Sequence, residues 1–257
     1  MLKRLRTIFF GGGTLTGPRA LGGSRMNDAL QSIIQHFERN GLEAVFPKRA
    51  LVELLPPDAV IVDAGAHVGV DTVDFAEMMP GGTIFAFEPE PKLFKKLQEN
   101  VRRFRNVRPE RLALSDKVGT VRFNVSSGTS DAASSLLTPK EIKTFHPGNQ
   151  FVETINVQAV SLESYLKAAN VGVVDLLWLD LQGHELAVLG TMESYLPTVS
   201  VIFLEVSLAE VYEGVPLYGE ARRFLEERGF QVIFEQLPWQ DAGNVLAINS
   251  ALVSSLI

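Results

Sequence analysis

The chain has 257 residues, 46% of them hydrophobic and 21% charged, an ordinary balance for one large globular domain with an N-terminal extension. A formal net charge of −6 argues against nucleic acid as the main partner, because phosphate binding asks for clustered Lys and Arg. The absence of cysteine excludes disulfides and thiolate metal sites, and the best candidate for a membrane span, VGVVDLLWL, is cut short by Asp175.

Residues 1–24 are Gly-rich with scattered bases and read as a flexible leader. Glycines interrupt MLKRLRTIFFGGG before a signal core can form, so a cytoplasmic location is expected. Residues 25–58 read as a helical extension. In it, MNDALQSIIQHFERNGL has Asn27 or Asp28 as N-cap, apolar positions at Leu30, Ile33, Ile34 and Phe37, and Gly41 as its stop. From residue 59 strands and helices alternate. VIVDAG is a strand, Val70 to Met79 a helix, TIFAFEP a second strand and Lys92 to Phe104 a second helix. The basic run from Val101 to Arg108 reads as a solvated helix end. RLALSD is expected to be the third strand and VDLLWLD the fourth, followed by a helix from His184 to Tyr195. VSVIFLEVS is a fifth strand, and LYGEARRFLEERGF a helix stopped by Gly229. Strands that are apolar throughout and separated by helices imply a parallel sheet covered on both faces, an α/β fold. FQVIFE and NVLAINS are joined by too short a link for a helical crossover and form an antiparallel hairpin. Between the third and fourth strands, GTVRFNVSS and ETINVQAV flank the polar stretch SGTSDAASSLLTPKEIKTFHPGNQ, which belongs on the substrate side.

The first strand ends in Asp63, and a loop with Gly65, Ala66 and Gly69 follows. A Walker loop would need a lysine that is missing here, and the G-x-x-x-G spacing departs from the dinucleotide G-x-G-x-x-G. S-adenosylmethionine has no phosphate but carries an ammonium, a carboxylate and a ribose diol. Asp63 can attract its cationic end directly or through water, Gly65 lets the backbone approach it, and Gly69 lets the helix start pack on the strand. Glu88, at the tip of the second strand, can accept both ribose hydroxyls, which by itself does not separate NAD from S-adenosylmethionine.

DAGAHVG, FAFEPEP, LALSD, AASSLL and LDLQGHELAVL with FLEVS resemble the FkbM-type methyltransferases, over about Val60 to Ser250. The resemblance implies the class I, Rossmann-like methyltransferase fold over residues 59–257: a seven-stranded, mostly parallel sheet with a C-terminal antiparallel hairpin. It implies S-adenosylmethionine as cofactor and O-methylation, often of sugars or polyketide-like natural products, hence a small-molecule or glycan acceptor. Carried onto this chain, Asp63, Gly65, Ala66, His67, Gly69, Glu88 and Pro89 would serve the cofactor. Ala113, Leu114 and Ser115 would pass near its adenine. His67 stands where the family loop commonly has Asn. LDLQGHE replaces the [ND]-P-P-[FY] pattern of amino-directed enzymes, which favours an oxygen acceptor.

An alcohol must lose a proton as its C–O bond forms. Asp180, His184 and Glu205 are the candidate catalytic groups, with Asp180 either orienting the His184 imidazole as base or acting as base itself. The same three could hold Mg²⁺ against a diol, although no spacing requires it. Ser134, Ser135, His146 and Glu185 are candidates for the acceptor side, Glu185 equally for a helix-dipole role. An NAD-type oxidoreductase and a non-catalytic S-adenosylmethionine-binding module are the competing readings.

Overall fold

The computed structural model describes residues 17–19 and 23–253, so the loose leader expected over residues 1–24 falls mostly outside the described residues. Within that leader Arg19 is tethered, donating to the buried carboxylate of Asp175 and pairing with Asp58 at 2.9 Å.

Helix α1 (Gly23–Asn40) begins ahead of Asn27 and Asp28, so neither is its cap. Its buried stripe is Met26, Ala29, Ile33 and Phe37, whereas Ile34 is exposed. Helix α2 is Lys48–Val52. The central elements follow as β1 (Val60–Ala64), α3 (Val70–Met78), β2 (Thr83–Phe87), α4 (Pro91–Val101) and β3 (Val107–Glu110). Then come β4 (Ala113–Leu114), β5 (Gly119–Gly128), α5 (Ile142–Phe145), β6 (Asn149–Val160), α6 (Leu162–Ala168), β7 (Leu176–Leu179) and α7 (Glu185–Gly190). The chain ends with β8 (Val201–Ser207), α8 (Tyr218–Glu227), β9 (Phe230–Gln236), β10 (Ala242–Asn249) and α9 (Ser250–Val253).

The main sheet has seven strands in the order β3-β2-β1-β7-β8-β10-β9. Its first five are mutually parallel, and β10 enters antiparallel between β8 and β9. This is the seven-stranded class I arrangement with its C-terminal hairpin. Ile61, Ile84, Trp178 and Phe203 point to one face under α1 to α4, and Val62, Phe85, Leu177 and Leu204 to the other under α6 to α8. Full-length apolar strands serve two cores at once.

Two expectations need correction. The third strand of the sheet is Val107–Glu110, paired with β2, and not RLALSD. Pro109 is tolerated there because β3 is an edge strand. Ala113–Leu114 instead joins a second sheet of order β4-β6-β5, whose long antiparallel β5–β6 pair stands over the C-terminal end of the main sheet. The helix expected over His184 to Tyr195 stops at Gly190, and a 3-10 turn at Leu196–Thr198 completes the return to β8.

Residues 129–148 and 208–217 pack together. Ala133, Ile142, Val211, Tyr212 and Val215 form a small core of their own, and Pro139 bridges to Tyr212. The polar stretch is thereby a built wall above the strand tips. The 208–217 segment opposite it carried no signal in the sequence reading.

Candidate active site

The loop after β1 is shaped by backbone chemistry. Gly65 has φ +87°, and a Cβ there would sit 1.8 Å from the carbonyl oxygen of Asp180. Glycine is therefore required by the neighbouring strand tip, and the same residue lines the cleft. Gly69, also at φ +87°, would place a Cβ 2.5 Å from Leu97 of α4, so it seats the helix start against α4 and not on the strand. The N–H groups of Gly65 and Ala66 both donate to the Phe87 carbonyl, at 3.0 and 2.9 Å. His67 N–H donates to Glu88 Oε2 at 3.0 Å, and Gly69 N–H to the Ala66 carbonyl at 2.7 Å. These four donors are spent. A pyrophosphate bound in the dinucleotide manner would need such donors free and would lie beside two buried acids.

Asp63 is 1% exposed, accepts from Thr72 Oγ1 and is not among the residues that line the cleft. Burial, then Asp71, pushes its pKa up to about 7. Glu88 is buried at the β2 tip and lines the cleft, its carboxylate also accepting the Glu90 N–H at 2.7 Å. Burial raises it to about 8.

The cleft at the strand tips takes in about 620 Å³ of space, much of it open to solvent. Gly65, His67, Glu88 and Pro89 form one side, and Leu112, Ala113, Leu114 and Phe123 an apolar side suited to a flat base. Asp131, Ala132, Ser134 and Leu136 come from the polar stretch, and Asp180, Leu181, Gln182 and His184 from the tip of β7.

The family model described as the methyltransferase FkbM domain matches residues 63–232. The chain belongs to the FkbM methyltransferase family. It is an S-adenosylmethionine-dependent O-methyltransferase. The 2-O-methyltransferase NoeI of Sinorhizobium fredii is 31% identical over 79% of this chain and 85% of its own length. The 31-O-demethyl-FK506 methyltransferase FkbM of Streptomyces tacrolimicus is 29% identical over 73% of this chain and 78% of its own. The hexuronic acid methyltransferase AglP of Haloferax volcanii is 28% identical over 62% and 60%, respectively.

Several family residues take other partners than the sequence suggested. His184 does not meet Asp180. Its Nε2 lies 3.1 Å from Ser115 Oγ and 3.6 Å from Asp116 Oδ1. Burial holds its pKa below the usual histidine range, with Asp116 opposing and Lys117 assisting. Ser115 is buried and serves that contact rather than the cleft wall. Ala66 is likewise buried behind the loop. The set considered for Mg²⁺ is not assembled: His184 turns to Ser115, and the Gln182 amide stands between Asp180 and Glu205, 2.8 and 2.7 Å from their oxygens. No group of three candidate ligands converges among the described residues.

On the acceptor side only Ser134 lines the cleft. Ser135 is buried and donates to the Gln182 carbonyl at 2.9 Å, fastening that turn. Glu185 is buried too, accepting Leu181 N–H at 2.7 Å, so it holds the turn and does not reach an acceptor. His146 points away to Asp241, 2.6 Å from its Oδ2. Gln182, Asp131 and Tyr212 were missed. The first was legible as part of QGHE; the other two sit in loops whose partners are remote. His67 Nε2 meets Asp131 at 2.9 Å, strapping the polar stretch to the cofactor loop.

Asp63, Glu88 and Glu185, raised by burial to about 7, 8 and 7, hold protons in the folded state that the unfolded chain releases near pH 4. Their contribution to stability is full below pH 4 and lost as pH rises through 7 to 8. The ligand-free protein is therefore expected to resist urea better at pH 5.5 than at pH 8.5. Glu88→Gln should flatten that slope; equal slopes in both proteins would remove Glu88 from the account.

Proposed function

We propose that this enzyme methylates a hydroxyl of a sugar or polyketide-like acceptor, with Asp180 as the group that takes the acceptor's proton. The single observation carrying the reading is the strand-tip geometry. Asp180 is exposed at the end of β7, lines the same cleft as Glu88, and has its Oδ1 occupied by Gln182, while Oδ2 has no side-chain hydrogen-bond partner among the described residues. The donor set fits S-adenosylmethionine: Glu88 as acceptor for ribose hydroxyls, apolar Ala113 and Leu114 for the base, and an acid beneath the loop for the ammonium. When bound, S-adenosylmethionine supplies a methyl group already activated on a sulfonium. Asp180 would take the acceptor's proton as the methyl leaves the sulfonium, whose sulfur keeps the C–S electron pair as a neutral thioether, and residues 131–136 would exclude water.

The acceptor class follows the activities of the relatives, a 2-O-methyltransferase, a hexuronic acid methyltransferase and a 31-O-demethyl-FK506 methyltransferase. Radiolabelled methyl transfer to a panel of methyl glycosides and hydroxylated macrolactones tests it. Label appearing only on amines would refute it. Calorimetry should show S-adenosylmethionine binding and no NAD binding. Above pH 8, where Glu88 is ionised, losing a hydrogen bond to a charged group costs roughly 1.5–3 kcal/mol, so Glu88→Ala should weaken S-adenosylmethionine there by about tenfold or more. Unchanged affinity would take Glu88 out of the site.

A further inference from the structure

The turn after β7 is held in an unusual shape. Gln182 has φ +52° and Gly183 φ +94°, two successive left-handed residues. Only glycine adopts this without strain, and a non-glycine residue there needs an external reason. The surroundings impose it. A Cβ on Gly183 would meet Val215 at 2.6 Å and Leu137 at 3.1 Å, so the turn is clamped between the two loops above it. Ser135 takes the Gln182 carbonyl, and Glu185 accepts N–H groups of Leu181 and Gly183, at 2.7 and 3.3 Å.

The result is one defined position for the Gln182 side chain. Its Nε2 lies 2.8 Å from Asp180 Oδ1 and 2.7 Å from Glu205 Oε2. Its Oε1 faces the buried Tyr212 hydroxyl at 3.1 Å. An amide NH₂ has two hydrogens, one for each acid, and the single hydrogen of the Tyr212 hydroxyl lies between Gln182 Oε1 and the nearer Ala133 carbonyl at 2.8 Å. Both amide hydrogens are thus spent inside the protein, and none is left for an acceptor. Neither acid has a cation in contact among the described residues. The charged groups nearest in influence are Asp71 and His67 for Asp180, and Glu185 and Asp241, with Asp180 itself, for Glu205.

We propose that Gln182 is a positioning residue for methyl transfer: its amide couples Asp180 to Glu205 and holds the free oxygen of Asp180 toward the acceptor. This rests on Asp180 as proton acceptor. A methionine at 182 has the same reach but no hydrogen to give, so Asp180 would be released. A glutamic acid can give one hydrogen while protonated and none once ionised.

The test uses the full chain, S-adenosylmethionine and a methyl glycoside with free ring hydroxyls, together with crystal structures of wild type and variants. Gln182→Met is expected to lower kcat at least tenfold, with acceptor KM and cofactor Kd within about threefold, and to show the Asp180 carboxylate displaced. Gln182→Glu is expected to come nearest to wild-type turnover at the acid end of the profile and to fall progressively further below it as pH rises, so that the ratio of variant to wild type declines with pH. Wild-type kcat in Gln182→Met with Asp180 unmoved overturns the proposal, as does a Gln182→Glu profile that follows the wild type. If Gln182→Met does not fold, the Gln182→Glu profile decides; if no glycoside is methylated, the displacement of Asp180 decides. A fully active Asp180→Asn would instead strike the base assignment, and the crystal structures would still report whether Gln182 holds the carboxylate.

Discussion

Asp180→Asn is expected to lower kcat by about 10²–10⁴-fold, the range for loss of a general base, while cofactor affinity stays close to wild type. Asparagine preserves the size of the side chain at the β7 tip and leaves the backbone carbonyl that abuts Gly65 untouched, so the cofactor loop should keep its shape. What is lost is an oxygen able to accept a proton from the alcohol. In the wild type, although the residue as a whole is exposed, the protein packed around its carboxylate, and then Asp71, hold the Asp180 pKa above the ordinary carboxylate range, with the Gln182 hydrogen bond opposing. A base must be ionised to act, so the rate should rise with pH through that ionisation. His184→Ala is expected to be milder, because its imidazole is engaged by Ser115 and Asp116. Steady-state kinetics with labelled methyl donor, alongside calorimetry for the cofactor, decides between them. Abolished turnover in His184→Ala with a near-normal Asp180→Asn would make the histidine the base.

Arg19→Ala is expected to be the most destabilising single change at the opposite end of the sheet. Asp175 is fully buried and accepts the Val60 N–H at 2.7 Å and Arg19 Nε at 2.7 Å, with a second guanidinium nitrogen on its other oxygen. It joins β1 and β8 through its own backbone, donating to Val60 O and accepting from Val201 N. Removing Arg19 leaves a buried carboxylate with one neutral donor. Breaking a buried pair this way costs roughly 3–5 kcal/mol, and the partial exposure of Arg19 places it toward the low end. For a domain of this size about 3 kcal/mol corresponds to a Tm lower by roughly 6–12 °C. Asp175→Asn in the Arg19→Ala background should recover part of the loss, because a neutral amide tolerates burial better. An Arg19→Ala protein that melts with the wild type would show the tether to be incidental.

Much of the architecture was legible because its signals are local. The apolar runs, the glycine stops, and a linker too short for a crossover report backbone states that neighbouring residues decide among themselves. Asp63, Glu88 and Asp180 could be placed at strand ends for the same reason, whereas Glu205 lies within β8, which runs on to Ser207 beside β10. The choice between Val107–Glu110 and RLALSD as the third strand was not local. Both segments can extend, and pairing with β2 on one side and β6 on the other settled it.

The contacts of the site belong to the tertiary structure. The sequence by itself required a glycine-bearing loop after Asp63, acids at adjacent strand ends and a Gln-Gly turn before a helix. It could not tell that Gly65 is needed by the Asp180 carbonyl, that His184 turns to Ser115, or that Asp175, the residue that interrupts an apolar run, is neutralised by Arg19 from 156 positions away. Side-chain partners are chosen by proximity between segments that the chain brings together only after the sheet has formed. A carboxylate's need for a partner is written in its own chemistry and burial, and the partner's identity is written in the packing.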